Sequence, residues 1–305
     1  MPSFFDDPAL FQSVLENLPI GVYVLDRERR VRFWNRGAER ITGYLAHEVV
    51  GQACRGPLQH CDPQGRVLCA DRCPVTATLH DGHPQQNYIF SLHKQGHRMG
   101  MQVHTLPIFE NRDQVAGVVV VFEEAAASCG PGSFGSLMYG CLDPITGVPS
   151  QRLTRAVLAE SLIGLEEMHG GFGLLRILVL GLKEFSARHG ANSVVPFLHA
   201  TAQTIRHCLG GEDFVGRWGE HEFLAILHSP SPITVAAMAD TIWRLLSQSE
   251  ISWWGDRFLI EAAVAHAVAR PGDQLENLIS KMNPDHSARA AGASSGTPSP
   301  RPKRG

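Results

Sequence analysis

The sequence lacks the segments that would place it in or across a membrane. None of its apolar runs reaches about 18 residues, the length a transmembrane helix needs, and the N-terminus is not a basic stretch followed by an apolar one. The 305-residue chain also lacks a net basic charge, since its formal charge is −3 at pH 7. These absences predict a cytoplasmic protein with no membrane span, and they argue against nucleic acid as a partner.

Two further patterns are missing. No heptad repeat is present, so a coiled coil is not expected, and none of the seven cysteines forms a Cys-x-x-Cys pair. Because no secretion signal is present, the cysteines indicate reduced thiols or metal ligands. The length and the 44% hydrophobic content suffice for two domains with their own cores, and the expected fold class is α+β.

The first 124 residues contain several short segments of β-forming residues, which predict an antiparallel sheet. An amphipathic helix at residues 8–18 precedes β-formers at 21–26 and 31–34, which flank a charged turn. Short helices are predicted at 35–38 and 41–44. Three later segments predict further strands: residues 87–93, 98–108 and 115–122.

This order resembles a PAS sensor domain. The resemblance lies in Asn17-Leu-Pro-Ile-Gly-Val-Tyr-Val-Leu-Asp26, in Phe33-Trp34-Asn35 and in Ile41-Thr42-Gly43-Tyr44. It covers residues 3–124 and implies a five-stranded antiparallel sheet with helices over one face, often around a small-molecule or cofactor pocket. A fold resemblance does not identify that ligand.

The cysteine-rich insertion at residues 54–73 is unusual for such a domain. Cys54, Cys61, Cys69 and Cys73 lie within it, and His60 is next to Cys61. Thiolates on one loop can hold zinc or an iron–sulfur cluster, with His60 as an alternative ligand. A redox pair such as Cys69 with Cys73, thiols without a ligand, and a heme held by a histidine of this domain are the alternatives.

Small and flexible residues follow the first domain. Gly130, Pro131, Gly132 and Gly135 predict a flexible linker at residues 125–140 rather than a stiff helix. Residues 293–305, rich in Ser, Pro and Gly, predict a disordered tail.

Helices and strands alternate after the linker. A continuous apolar run with a single Arg at residues 172–180 predicts a central strand that is covered on both faces. Helical periodicity appears at 191–209, where Pro196 interrupts it, and at 231–248. Residues 258–268 predict a final strand.

Residues 214–227 predict a hairpin whose polar turn separates two runs of β-formers. The turn resembles the Gly-Gly-Asp/Glu-Glu-Phe signature of the GGDEF family, the bacterial diguanylate cyclases that convert two GTP to cyclic di-GMP; its residues are Gly219, Glu220, His221, Glu222 and Phe223. Asp143, Thr146 and Gly147 resemble an earlier motif of that family. The resemblance covers residues 141–292 and implies a nucleotide-cyclase-like α/β fold.

The same resemblance assigns two Mg²⁺ ions to an Asp that ends the first core strand and to the third residue of the signature. Here those positions hold Leu178, with Leu180 after it, and His221. Leucine offers no ligand atom, and imidazole suits a hard cation poorly. The positions that recognise guanine hold Ser186 and Val195, and valine offers the base no hydrogen bond.

At few of the other GGDEF-family binding positions does this sequence keep a charged residue. Lys183 and Arg289 are the candidate nucleotide-binding residues. Gly210 replaces the Arg that precedes Asp213 in the family's inhibitory site, which predicts weak binding of the product. Pro284 is expected to break the last helix of the domain.

These features together predict a bacterial cytosolic protein of the cyclic di-GMP family, in which a PAS sensor responsive to redox state or metal controls a non-catalytic GGDEF-like domain. We expect a homodimer, and a protein partner in cyclic di-GMP signalling as a second mode of action. One alternative is an active but divergent diguanylate cyclase that uses Glu220 and Glu222 in a shifted register, and only that alternative calls for Mg²⁺. Another is a domain that binds GTP as an effector without turning it over.

Overall fold

The computed structural model describes residues 8–69, 72–111, 114–125, 141–168, 171–229 and 231–282. Contacts divide the chain into two compact units, and the first unit ends at Ala125. In the described part of the chain, no helix is long and apolar enough to cross a membrane. The linker predicted at residues 125–140, apart from Ala125, and the tail predicted at 293–305 lie outside the described residues.

A five-stranded sheet forms the first unit, in the order β2-β1-β5-β4-β3. Its strands are β1 (Gly21–Asp26), β2 (Val31–Trp34), β3 (Gln85–Leu92), β4 (Arg98–Asn111) and β5 (Gln114–Glu124). β1 pairs antiparallel with β2 and with β5, and β5 pairs antiparallel with β4. The predicted five-stranded sheet is confirmed.

Among the described residues, five α-helices accompany this sheet: α1 (Pro8–Asn17), α2 (Arg36–Thr42), α3 (Ala46–Val49), α4 (Arg55–Leu58) and α5 (Pro74–Asp81). The two short helices predicted at 35–38 and 41–44 are wrong, because α2 is one continuous helix. The Asn35 side chain accepts a hydrogen bond from Ala38 N at 2.7 Å and caps its start. Gly43, at φ 75°, ends it in the left-handed conformation.

Aromatic rings fill the core of the first unit. The Tyr23 ring centroid lies 5.3 Å from that of Trp34 and 5.8 Å from that of Phe122. Cys54 and Cys73 are buried in the same cluster of side chains. The cysteine-rich insertion therefore contributes to the packed interior of this unit.

A four-stranded sheet in the order β11-β6-β8-β7 forms the second unit, beside a two-stranded sheet. The strands are β6 (Phe172–Val179), β7 (Phe214–Arg217), β8 (Glu222–Leu227), β9 (Glu250–Trp253), β10 (Asp256–Leu259) and β11 (Ala262–Ala269). The single strand predicted at 258–268 is wrong. It is divided at Ile260 and Glu261, because β10 pairs with β9 whereas β11 pairs with β6.

The described α-helices of this unit are α6 (Gln151–Met168), α7 (Leu182–His189), α8 (Val195–Cys208), α9 (Pro232–Ser247) and α10 (Leu275–Lys281). A 3-10 helix (Ala191–Val194) directly precedes α8. Pro196 does not interrupt α8. It lies in the first helical turn, where a backbone N–H has no intrahelical acceptor to lose. The last described helix ends at Lys281, and Pro284 and Arg289 lie outside the described residues.

Strand β6 is the inner strand that its apolar sequence predicts. Leu175 and Ile177 belong to one core cluster, which includes residues of α8 and α9. Phe172 and Leu174 belong to a second cluster, which includes residues of α6 and α10. Side chains cover both faces of β6, so its sequence is apolar without alternation.

Candidate functional site

The hairpin of β7 and β8 forms the centre of the candidate site. Its strands pair antiparallel, with Arg217 opposite Phe223. Trp218 N donates to the carbonyl oxygen of Glu222 at 2.8 Å and closes the turn. Glu220 stands at the tip with 82% of its side chain exposed, whereas the His221 side chain is buried. The predicted hairpin is confirmed.

Strand β6 runs directly beside this turn. Leu178 lies opposite Glu222 in the strand register, and Val179 N donates to the carbonyl oxygen of His221 at 2.9 Å. The structure thus brings together the strand position and the hairpin position that sequence comparison assigned to metal ligands. The residues at these neighbouring backbone positions are Leu178, His221 and Glu222.

The Glu222 carboxylate is already paired. Arg176 Nη2 lies 2.9 Å from Glu222 Oε2 and 3.1 Å from Oε1, and Arg176 Nε lies 3.1 Å from Oε2. The two residues are diagonal neighbours on one face of the sheet, a position from which long side chains reach each other. In the sequence Arg176 is only the single charge of an apolar run, and nothing nearby in the chain indicates its partner.

A second ion pair lies where β7 meets the turn of the hairpin. Arg217 Nε lies 3.7 Å from Asp143 Oδ2, and Arg217 Nη2 donates to the carbonyl oxygen of Glu220. Asp143 also accepts hydrogen bonds from Thr146 N (2.9 Å) and Thr146 Oγ1 (2.7 Å). The guanidinium of Arg217 is 5.0 Å from the centre of the Phe223 ring. This pair links the loop before α6 to the signature turn.

Helix α6 holds the other side of the turn. Gln151 Nε2 donates to the carbonyl oxygen of Trp218 at 2.6 Å. The guanidinium carbon of Arg155 lies 4.6 Å from the centre of the Trp218 ring. Neither contact was predicted from the sequence, although the spacing of Gln151 and Arg155 by four residues places them on one helical face.

Family models match both units of the chain. The model of the PAS fold matches residues 9–125, and the model described as "Diguanylate cyclase, GGDEF domain" matches residues 141–289. The chain carries a PAS domain followed by a GGDEF domain. No curated protein matches the sequence.

Solved structures with similar folds include three GGDEF proteins. The FimX GGDEF domain from Pseudomonas aeruginosa is 17% identical (TM-score 0.47) and aligns with 50% of this chain and 96% of its own. The DgcB GGDEF domain from Caulobacter crescentus, in complex with c-di-GMP, is 17% identical (TM-score 0.45), and the alignment covers 47% of this chain and 85% of the DgcB chain. Diguanylate cyclase SiaD, in complex with its activator SiaC from Pseudomonas aeruginosa, is 20% identical (TM-score 0.45; 47% of this chain). The chain spans about half of SiaD, 55% of its length.

The remaining candidate positions of the GGDEF domain lie around α7 and α8. Lys183 is exposed in the first turn of α7, and Ser186 and Val195 are half-buried. The carboxylate of Asp213 accepts hydrogen bonds from Gly210 N at 2.8 Å and from His228 N at 3.0 Å. Asp213 therefore joins the loop before β7 to the residue that follows β8.

The side chains around Leu178 do not fit a pair of magnesium ions. Mg²⁺ requires a nearly octahedral set of oxygen ligands, usually with one or two carboxylates. Leu178 provides no oxygen, and the Glu222 carboxylate is paired with Arg176. Glu220 keeps an exposed carboxylate at the tip of the turn, 4.0 Å from His221 Nε2.

His221 lies in a setting that disfavours its charged form. Burial lowers the pKa of His221, and the neighbouring cations of Arg217 and Lys183 lower it further. The Glu220 carboxylate acts in the opposite direction and raises this pKa. A neutral imidazole is a ligand for soft and borderline metals, so it does not replace the missing carboxylate.

We expect this shift to appear in the pH dependence of stability. Because the folded-state pKa lies below the unfolded value of about 6.5, the unfolded chain takes up the proton first as the pH falls. The contribution of neutral His221 is present above about pH 6.5 and is lost as the pH falls below that value towards the folded pKa. Urea unfolding between about pH 7 and 5 should show a steeper loss for the wild type than for His221→Gln; equal slopes would contradict the assignment.

The four cysteines of the PAS insertion are all described, and none is in a disulfide. Cys54, Cys61 and Cys73 are buried, and Cys69 is partly buried. Among the described residues, no group of three or more His, Cys, Asp or Glu side chains stands ready to hold a metal ion. The metal site at these cysteines therefore stays a prediction.

Proposed function

We propose that the GGDEF domain of this cyclic di-GMP signalling protein does not synthesise the dinucleotide and acts as a non-catalytic output domain of the PAS sensor. The observation that carries the proposal is the pairing across β6 and β8: Leu178 faces Glu222, and Arg176 holds the Glu222 carboxylate. A synthase needs oxygen ligands for cations at this place, but the residues there are the apolar Leu178 and the Glu222 carboxylate, which is paired with Arg176.

The chemistry of synthesis supports this proposal. Joining two GTP molecules requires a ribose hydroxyl to attack an α-phosphate and pyrophosphate to leave, with negative charge growing on the phosphate oxygens. Fixed cations stabilise that charge. Arg217 is not available for this role, because it is buried and engaged by Asp143 and by the carbonyl oxygen of Glu220.

The inhibitory position supports the same conclusion. Gly210 has no side chain that could pair with a phosphate, and the two Asp213 carboxylate oxygens accept hydrogen bonds from Gly210 N and from His228 N, which follows β8. We infer that cyclic di-GMP binds weakly at this position. The output is then a protein contact, through a homodimer or with a cytoplasmic signalling partner, whose strength the PAS domain controls.

Incubation of the full chain with GTP and either Mg²⁺ or Mn²⁺ tests the proposal. We expect no cyclic di-GMP above the level of a protein-free control when the products are separated by chromatography and identified by mass spectrometry. The double variant Leu178→Asp/His221→Asp supplies two carboxylates at the strand and hairpin positions. It should bind GTP with Mn²⁺ more tightly than the wild type in calorimetric titration, since it returns oxygen ligands.

The alternative, a divergent but active cyclase, predicts a different set of results. The wild type would then form more than one cyclic di-GMP per chain, and Glu220→Gln or Glu222→Gln would abolish that turnover. Such an outcome would overturn the proposal. Heat-treated protein and a GTP-free reaction are the controls for carried-over dinucleotide.

A further inference from the structure

Four strands lie at the edges of the two larger sheets in the described part of the chain: β2 and β3 in the PAS domain, β7 and β11 in the GGDEF domain. The backbone of β2 bonds to Gly51 and Gln52, that of β3 to Cys61 and that of β7 to Pro149, with N···O distances of 2.8 and 2.9 Å. Among the described residues, no such hydrogen bond joins the outer side of β11 to another segment. Strand β11 therefore differs from the other three edges.

The ladder between β11 and β6 determines which backbone groups of β11 point outwards. Leu180 N donates to the carbonyl oxygen of Glu261 at 2.8 Å, and these two residues continue the register in which Ala262 is opposite Val179. Because hydrogen-bonded pairs alternate along an antiparallel ladder, the odd-numbered residues of β11 bond to β6. The outward N–H and C=O groups belong to the even-numbered residues: Ala262, Val264, His266 and Val268. This row of donors and acceptors is a template for one more strand.

The sequence of β11 contains none of the features that keep edge strands apart. The strand is eight residues long, contains no Lys, Pro or Gly, and pairs with β6 without a bulge. Five of its residues are Ala, and small side chains do not obstruct the approach of another backbone. Its single polar residue, His266, is exposed. Such an edge accepts an extended segment as its partner.

The charges at the two ends of β11 favour a second copy of β11 as that segment. Glu261 precedes the strand and is half-buried, and Arg270 follows it and is exposed. In an antiparallel pair the even-numbered residues of both copies must face each other, so the two-fold axis passes through Ala265 or His266. Either position brings Glu261 to within one residue of the place opposite the partner's Arg270, at both ends of the contact.

The sequence after α10 does not provide a competing strand. Residues 283–305 contain no Val, Ile, Leu or aromatic residue, and four of them are Pro. This composition does not predict a strand that would pair with β11.

We propose that two copies of the chain associate through β11, antiparallel and about a two-fold axis, so that two four-stranded sheets become one sheet of eight strands. Backbone hydrogen bonds of the even-numbered residues hold the two strands together, and the pairs of Glu261 with Arg270 fix their direction. This contact specifies the homodimer of the proposed function, but it does not depend on whether the GGDEF domain turns over GTP. The oligomeric state without nucleotide tests the contact, whereas GTP turnover tests the proposed function.

Analytical ultracentrifugation and hydrogen exchange of the wild-type full chain test the proposal without any substitution. We expect a monomer–dimer equilibrium over a wide range of protein concentrations. In exchange followed by NMR, the amides of Val264, His266 and Val268 should exchange more slowly above the dissociation constant than below it. The amides of Ala265 and Ala267 should be protected at both concentrations, because they bond to β6 within each copy.

His266→Pro tests the strand edge itself. The substitution removes a backbone donor on the outer side only, so the ladder with β6 keeps its hydrogen bonds. We expect the dissociation constant to rise at least about 30-fold, because each copy loses one hydrogen bond at the centre of the contact. His266→Thr keeps the N–H and favours a strand, so this matched control should dimerise like the wild type. Far-ultraviolet circular dichroism verifies that both variants fold.

Charge reversal tests the direction of the two strands. Glu261→Arg and Arg270→Glu should each raise the dissociation constant about 3- to 10-fold at low salt, because each places like charges together at both ends. The double variant Glu261→Arg/Arg270→Glu should return to within about 3-fold of the wild type. A double variant that dimerises more weakly than either single variant would contradict the antiparallel arrangement.

Three results would overturn the proposal. One is a full chain that stays monomeric at the highest concentration and keeps rapid exchange at Val264, His266 and Val268, which would leave the edge to an extended segment of a different protein. The second is a dimer as strong in His266→Pro as in the wild type, which would place the contact elsewhere on the chain. The third is a loss in His266→Thr as large as in His266→Pro, which would assign the effect to the imidazole instead of the backbone.

Discussion

Replacing Phe223 by alanine is expected to destabilise the GGDEF domain by about 3–5 kcal/mol, the usual cost of removing a fully buried phenyl ring. Phe223 is 0% exposed and belongs to the largest core cluster of this domain. It lies opposite Ile177 of β6 and beneath the guanidinium of Arg217. The last residue of the signature therefore supports the fold, and chemical denaturation of the full chain should show the loss in the transition of this domain.

Glu220→Ala provides the matched control for Phe223→Ala. It lies three residues earlier in the same turn, but its side chain is 82% exposed, so we expect a change within about 0.5 kcal/mol. Phe223→Leu keeps an apolar side chain and should recover part of the loss. A Phe223→Ala variant as stable as Glu220→Ala would show that the ring does not support the hairpin.

Asp143→Ala should destabilise the same domain by about 3 kcal/mol, at the lower end of what breaking a buried ion pair costs. The side chains of Asp143 and Arg217 are 18% and 8% exposed. The substitution leaves the Arg217 charge buried without its carboxylate and removes two hydrogen bonds to Thr146. The loop before α6 should also lose its connection to the hairpin.

A double-mutant cycle separates the ion pair from the loop bonds. Arg217→Met keeps an apolar stem but removes the charge, so Asp143→Ala/Arg217→Met should be clearly more stable than additivity of the two single changes predicts. Thr146→Val removes only the hydrogen bond from the Thr146 hydroxyl to Asp143 and should lower the free energy of unfolding by about 1 kcal/mol. Strict additivity in urea unfolding would contradict a direct interaction at 3.7 Å.

Much of the fold was predictable because its strands and turns are marked by local patterns. The apolar run of β6 predicted an inner strand, and the polar turn at Gly219 and Glu220 predicted the hairpin. The errors lie where a local pattern has two interpretations. Pro196 suits the first turn of a helix as well as it interrupts one, and the run at 258–268 is divided only because two different sheets take its two ends.

The candidate site was predictable in its composition and unpredictable in its pairing. Sequence comparison identified Leu178 and His221 at the positions of metal ligands, and both lie beside the turn in the structure. It did not identify Arg176 as the partner of Glu222, 46 residues away in the chain. That pair depends on the register of two strands, and a shift of one residue would put the two side chains on opposite faces.

Amino-acid order alone established which chemical groups this protein has near its signature turn: leucine and imidazole where carboxylates stand in the family. Folding established which of the remaining charges are engaged, since Arg176 binds Glu222, Arg217 pairs with Asp143 and Asp213 closes its own loop. The reason is that a side chain's chemistry is local, whereas its partner is chosen by strand register and by burial, both of which arise only when distant segments pack together.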